Sequence, residues 1–293
     1  MTKNNNVAPK NLGGGVILFE SALELDWDYV LDFAKKSINK EKKEMYKLSI
    51  NPETNEECYV NKSGYFFPKE SVDLMPGRGS AIHTYADEKI KSIFDFIETS
   101  KDEYLFKYFE IFPLAAKCVW WKVKGHIVQY KQGVFLGSHS DISADYSYGV
   151  WTPTDQLATR NTISTVFYLN DCVDSKHEIN NNKFVGGHHY FNYLNINYKP
   201  SKGDILFFPS NYVAAHEVTT VQAGERYSYL GWYSQGTPNA QVGENVVDPL
   251  KNPEAAKTAT NLYMPDLIDN YKKYLKSKNY SEHSAQYKVV NRQ

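Results

Sequence analysis

The sequence predicts an α+β fold that is mainly β, with helices near the amino terminus packed against a double-sheet β-roll. Three observations carry this reading. Apolar residues recur at helical spacing before residue 118 and at every second position after it. The later β-rich segments are short and separated by Gly, Pro, Asn and Asp. Aromatic residues make up 15% of the chain, mostly as 23 Tyr, which suits a sheet with amphipathic walls.

In chain order, residues 1–15 read as a disordered arm ending in a glycine run. Four consecutive apolar residues make a short strand at 16–19. Val30, Leu31 and Phe33 place a helix at 26–37. The stretch 38–79, with its lysine cluster and its Asn-Pro and Pro-Gly pairs, reads as loop and edge structure. Ile90, Ile93, Phe94 and Ile97 share one face of a helix at 87–99, and a second helix at 104–112 ends at Pro113. Strands follow at 119–123, 127–130, 162–169, 204–208, 215–219 and 226–233. Between 141 and 160 lies an irregular segment long enough for a lid or binding loop. After a polar stretch, Leu267, Tyr271 and Tyr274 mark a helix at 264–277. The expected organisation is an arm (1–15), one domain (16–236, its core at 118–236) and an extension (237–293).

Bulk properties narrow the function classes. A net charge of −1 with dispersed Lys and Arg gives no polyanion-binding face, so no nucleic-acid partner is expected. No run of 18 apolar residues exists and the first residues lack an apolar signal core, so no membrane partner is expected either. Cys58, Cys118 and Cys172 have no C-x-x-C spacing, which favours a reducing compartment and a cytoplasmic location. Nothing in the sequence sets the oligomeric state.

The chemistry-bearing pattern is His139-Ser-Asp141, followed by His216 and Arg226. Two imidazoles and a carboxylate are the ligand set of a facial triad, which holds Fe(II) on one side and leaves positions open opposite. On an extended backbone, His139 and Asp141 point the same way and can reach one ion. Taken singly, each histidine reads first as an ordinary hydrogen-bonded residue. In the strand 226–233, Arg226 and Ser228 share a face with Leu230 and Trp232, opposite Tyr227, Tyr229 and Tyr233. An inward arginine needs an anion, which is either a ligand carboxylate or an internal acidic partner. In 162–169, Ile163, Phe167 and Leu169 form an apolar face, and Thr162, Ser164 and Tyr168 a polar one suited to a cavity or to solvent.

From Val128 to Trp232 the chain resembles the catalytic core of the prolyl 4-hydroxylase-like family of Fe(II)- and 2-oxoglutarate-dependent dioxygenases. Six spaced blocks carry the resemblance. They are Tyr130-Lys-Gln-Gly133 leading into His139-Ser-Asp141, Val166-Phe-Tyr168-Leu-Asn170, and Gly186-Gly187-His-His-Tyr-Phe191. Lys199-Pro-Ser-Lys-Gly203 with its strand to Pro209, His216-Glu-Val218, and Gly224-Glu-Arg226-Tyr-Ser228 with Trp232 complete the set.

The resemblance implies a double-stranded β-helix of jelly-roll, cupin-like form. It also implies Fe(II) as cofactor, 2-oxoglutarate and O2 as cosubstrates, and ascorbate as a stimulant. His139, Asp141 and His216 would hold the metal. Arg226 would bind the distal carboxylate of 2-oxoglutarate, with Tyr168, Ser228 and Tyr130 around the cosubstrate. Arg160 and Trp151 are candidates for substrate binding. The implied reaction is hydroxylation of an unactivated C–H bond in a small molecule or peptide, a prolyl or other amino-acid residue among them, with release of succinate and CO2. Asp141 favours hydroxylation, because halogenating relatives have a small residue there. Many prolyl hydroxylases of the family carry lysine where this chain has Arg226. Desaturation, epimerisation or ring closure on the same scaffold stay open, as does a non-catalytic β-roll that binds metal for structure or sensing. His188 and His189 lie beside the ligand positions in order, but strand alternation lets only one of them face inward, and neither is assigned as a ligand.

Overall fold

Hydrophobic periodicity and hydrogen-bond satisfaction produce two facing, mainly antiparallel sheets with helices outside the larger one. The computed structural model describes residues 1–79, 87–142, 160–180, 182–235, 246–259 and 261–278. The elements that position the site begin with β1 (Val16–Phe19), α1 (Trp27–Met45), α2 (Glu88–Ile111), β2 (Trp121–Lys131) and β3 (Leu136–His139). They continue with β4 (Asn161–Tyr168), β5 (His189–Phe191), β6 (Ile196–Tyr198), β7 (Ile205–Pro209), β8 (His216–Val218), β9 (Val221–Ser234) and α3 (Leu267–Ser277).

The large sheet runs Val246–Val247, Asn261–Tyr263, β2, β9, β4, β7, β1, Lys10–Gly13, and the small one β3, β8, β5, β6. Val166, Tyr168, Leu206 and Phe208 from the large sheet meet Phe191 and Tyr198 from the small one in one buried cluster between the sheets. On the outer face of the large sheet, Ile163, Phe167, Phe207, Tyr227, Tyr229 and Tyr233 pack against Val30, Leu31, Ile93, Phe94 and Ile97 of the helices. The result is a double-stranded β-helix core with packed helices, in the mainly β class that the sequence predicts.

Several boundaries differ from the sequence expectation, each for a physical reason. The arm 1–15 is ordered: Lys10–Gly13 pairs with β1, and Thr2–Lys3 pairs with Leu23–Glu24. The glycine run read as the end of an arm is the hairpin turn, with Gly13, Gly14 and Gly15 all at positive φ, which glycine adopts without steric cost. The helices expected at 87–99 and 104–112 are one helix, α2, capped by the Asp87 carboxylate, which accepts from the Lys89 and Ile90 amides. Across the join, Glu98 and Lys101 are buried, Asp102 is half-buried, and all three are paired. Glu98 Oε1 accepts from Lys101 Nζ at 3.1 Å and from Tyr229 Oη at 2.7 Å, and Asp102 accepts from Lys122 and Tyr233.

The two strands expected at 119–123 and 127–130 are likewise one, β2. A Cβ at Gly125 would stand 2.0 Å from the Leu230 carbonyl oxygen, so glycine permits the close crossing where β2 and β9 shift register. Residues 38–79 hold more order than expected. α1 runs on to Met45, and Tyr46–Ile50, Glu57–Asn61 and Phe66–Pro68 form a separate three-stranded sheet. In the extension, α3 buries Leu267, Tyr271 and Leu275 in the same core as the helices of the domain. Most of the expected 141–160 loop lies outside the described residues. Among the described residues, no helix is long and apolar enough to cross a membrane.

Candidate metal and dicarboxylate site

The register of the small sheet brings the distant histidines together. His139 of β3 pairs directly with His216 of β8, and their ring centroids are 4.4 Å apart. Asp141, just beyond β3, completes the group. His139 Nε2 lies 3.6 Å and His216 Nε2 4.0 Å from Asp141 Oδ1, and the three donor atoms all fall within 4.8 Å of one another. That spacing lets one ion touch all three.

The neighbours fix which atoms are free to do so. His139 Nδ1 is 2.9 Å from the Gly137 carbonyl and His216 Nδ1 is 3.1 Å from the Ala214 carbonyl. A carbonyl can only accept, so both rings donate from Nδ1 and turn an Nε2 lone pair to the shared point. Asp141 Oδ2 accepts from Ser164 Oγ at 2.5 Å and from Trp232 Nε1 at 3.0 Å, leaving Oδ1 toward the histidines. Burial works against the Asp141 charge, but His139, His216, Ser164 and Trp232 outweigh it and hold the carboxyl at about 2. Burial, only partly offset by Asp141, pushes His216 down to about 4. At His139 burial also lowers, yet the bonds to Asp141 and Gly137 raise the net value above the ordinary one. Two imidazoles with oriented lone pairs and an ionised carboxylate fit a divalent transition metal.

Beside the triad, β2, β9 and β4 line a narrow cavity of about 40 Å³ with Tyr130, Arg226, Ser228, Leu230 and Trp232. Arg226 is 1% exposed, and its guanidinium carbon stands 5.0 Å from the Tyr130 ring centre and 5.5 Å from that of Tyr168. Nε and Nη1 of Arg226, Oγ of Ser228 and Nε2 of His189 are buried without a hydrogen-bond partner among the described residues. Such orphaned donors are rare, and their convergence on one cavity fits an oxygen-rich anion.

The strand alternation read from sequence is the one observed. Arg226, Ser228, Leu230 and Trp232 line the cavity, while Tyr227, Tyr229 and Tyr233 join the helix-side core. Tyr130 pairs in register with Arg226, and Tyr168 with Ser228. Tyr168 Oη lies 2.9 Å from His189 Nδ1, so its nearest polar contact is a side chain that sequence reasoning set aside. Burial, with His216 and Arg226 nearby, pushes His189 well below its ordinary value, which makes it a neutral ring. The parity of β5 could have identified it, since His189 shares a face with Phe191 whereas His188 reaches outward to Asn197. Strand alternation puts Ser164 and Trp232 on the observed faces but does not link them to Asp141, because that link crosses strands far apart in sequence. Arg160 lies 6.0 Å over the Trp121 ring and does not line the cavity. Trp151 lies outside the described residues.

Residues 125–234 match the family model described as the 2OG-Fe(II) oxygenase superfamily, a family that uses Fe(II), 2-oxoglutarate and O2. No curated protein sequence matches the chain. Similar solved structures include the viral collagen prolyl hydroxylase of Paramecium Bursaria Chlorella virus-1 in complex with 2-oxoglutarate. It is 16% identical over 77% of this chain and 98% of that one, with a TM-score of 0.44. A Trichoplax adhaerens prolyl hydroxylase, solved with a hypoxia inducible factor peptide fragment, is 14% identical over 76% and 84% of the two chains, at 0.45. A Pseudomonas putida prolyl-4-hydroxylase is 17% identical over 76% and 94%, at 0.39.

Proposed function

We propose that this protein is a dioxygenase that hydroxylates an unactivated C–H bond, with His139, Asp141 and His216 holding Fe(II) and Arg226 holding the distal carboxylate of 2-oxoglutarate. When bound, the metal with 2-oxoglutarate and O2 supplies the oxidising power, and succinate and CO2 are released. The observation that carries the proposal is the pairing of two features in one cavity: a triad with its lone pairs aimed at one point, and a buried arginine without an acidic partner among the described residues. A structural metal site needs the first but has no use for the second.

The side chains divide the work. Gly137 and Ala214 hold the ligand rings through their carbonyls, and Ser164 and Trp232 hold the carboxylate to a single coordinating oxygen. Arg226 offers a two-pronged grip on a carboxylate, Ser228 adds a hydroxyl, and Tyr130 and Tyr168 flank the guanidinium with their rings. Val218, Leu136 and Leu230 line the same cavity with apolar surface, which limits water around the reacting centre. A prolyl or other peptidyl residue is the substrate class favoured by its frequency in the resembled family, although Arg226 in place of lysine sets this chain apart from many of its prolyl hydroxylases.

Anaerobic addition of Fe(II) and then 2-oxoglutarate is expected to produce a weak visible charge-transfer band. Oxygen should then discharge the band with formation of succinate. Absence of both, with intact folded protein and candidate substrates present, would rule the proposal out.

A further inference from the structure

The cavity holds an imidazole that the metal triad leaves unused. His189 opens β5, is 2% exposed, and packs 4.7 Å from the Phe191 ring and 4.7 Å from the His216 ring. Its Nδ1 faces Tyr168 Oη at 2.9 Å, and its Nε2 is buried with no partner among the described residues. The Arg226 guanidinium lies against the same phenol, within hydrogen-bonding reach of its hydroxyl. A cation beside a phenol oxygen takes up its lone pairs and leaves the single hydroxyl proton for another acceptor, which here is Nδ1. A neutral imidazole that accepts at Nδ1 carries its own proton on Nε2. That N–H shares a cavity with Arg226 Nε and Nη1 and Ser228 Oγ, which are equally unpartnered.

We propose that His189 is a cosubstrate-binding residue, its Nε2–H donating to a carboxylate oxygen of the dicarboxylate gripped by Arg226, while Tyr168 acts through His189 by fixing its tautomer. This rests on the 2-oxoglutarate reading above and adds to it a neutral donor that the sequence motifs do not assign. The donor is ordered by a phenol, so the anion meets a prearranged hydrogen bond rather than a freely rotating hydroxyl.

Two isosteric variants separate cradle from packing. In His189→Asn the amide stands where Nδ1 stood, so Tyr168 keeps a partner and the cavity loses its donor. In His189→Gln the amide reaches the Nε2 position. Calorimetric titration of 2-oxoglutarate into Zn(II)-substituted protein is expected to show a dissociation constant about ten- to a hundredfold weaker for His189→Asn, the worth of one hydrogen bond to a charged group. His189→Gln should stay within a fewfold of wild type. Wild-type affinity in His189→Asn, or equal losses in both variants, overturns the assignment while leaving the oxygenase reading intact. If wild-type protein binds no 2-oxoglutarate, both fall. Should either variant fail to fold, ¹⁵N spectra of wild-type imidazoles decide. The His189 Nε2–H signal must be present and must shift on adding 2-oxoglutarate, and an unmoved or absent signal overturns the proposal.

Discussion

Exchanging Arg226 for methionine tests whether the cavity is arranged for an anion at the expense of the free protein. Arg226 is 1% exposed, with Nε and Nη1 unpartnered among the described residues and with Tyr130 and Tyr168 as aromatic neighbours. The two rings return ~0.5–2 kcal/mol each. Each unsatisfied buried donor costs ~1–3 kcal/mol, and the buried charge itself several kcal/mol more. Methionine keeps most of the unbranched volume and removes the charge. Replacing buried ionic groups with apolar side chains of similar size is stabilising by ~1–4 kcal/mol when the charge is poorly compensated. At ~2–4 °C per kcal/mol for a chain of about this size, ligand-free Arg226→Met should melt ~2–16 °C above wild type.

Ligand should reverse that order. At a concentration one hundred times its dissociation constant, 2-oxoglutarate adds about 2.7 kcal/mol to wild-type stability. The variant should lose nearly all of this, because losing a buried charge-assisted pair costs ~2–5 kcal/mol. Differential scanning calorimetry of both proteins, with Zn(II) and with or without 2-oxoglutarate, reads all four states. A ligand-free variant that melts at or below wild type would mean that Arg226 already has a counter-charge, and the argument for an anion cradle would collapse.

Three other outcomes are expected. Asp141→Ala and His216→Ala should each abolish retention of Fe(II) on anaerobic gel filtration, and retention by both would refute the ligand assignment. Ser164→Ala frees one of the two hydrogen bonds on Asp141 Oδ2 and should weaken metal affinity about ten- to a hundredfold by competitive chelation, with little change in melting temperature. Glu98 tests the helix side. Burial raises its pKa, but Lys101, Lys122 and Tyr229 outweigh burial and bring it to about 2. A carboxyl depressed in the folded state stabilises fully above its unfolded value of about 4.3. That contribution, on the order of 3 kcal/mol, is lost as pH falls from there toward 2. Urea unfolding should therefore show a steep loss of wild-type stability across that window and a shallower one in Glu98→Gln, and parallel curves would contradict the assignment.

The parts of the site carried by local pattern were legible in the sequence. The two-residue spacing of His139 and Asp141, and the alternation that sends Arg226 and Ser228 to one face, need only the geometry of an extended chain. What could not be read depends on register between strands far apart in sequence. Ser164 reaches Asp141 from β4, Trp232 reaches it from β9, and Tyr168 meets His189 across the space between the two sheets. The fold shows the same division. Helical and strand periods identify the layers, but nothing local reveals that a single helix runs through 100–103, because Lys122, Tyr229 and Tyr233 wait across the sheet for Glu98 and Asp102. The glycine run at 13–15 was ambiguous for a related reason, since glycine marks a flexible arm and a tight hairpin equally well.

That helix-side polar cluster bears on the cavity although none of it lines the cavity. Side chains of β9 alternate between the two sides, so a slip of one residue would carry the Arg226 charge into the helix-packed core and turn Tyr227 or Tyr229 into the cavity. Apolar packing alone resists this weakly at tyrosines, which tolerate either surface. The hydroxyls discriminate: Tyr229 donates to Glu98, Tyr233 donates to Asp102 and Tyr227 accepts from Gln129 of β2, and each bond is available in one register only. On the same strand, Gly231 gives its carbonyl to Thr165 Oγ1, and a Cβ there would stand 2.3 Å from Lys101 Nζ, so a side chain brought to that position by a slip would meet the buried lysine. Buried charges on α2 thus act as a register key for β9, and the correct register is what delivers Arg226, Ser228 and Trp232 to the cavity together.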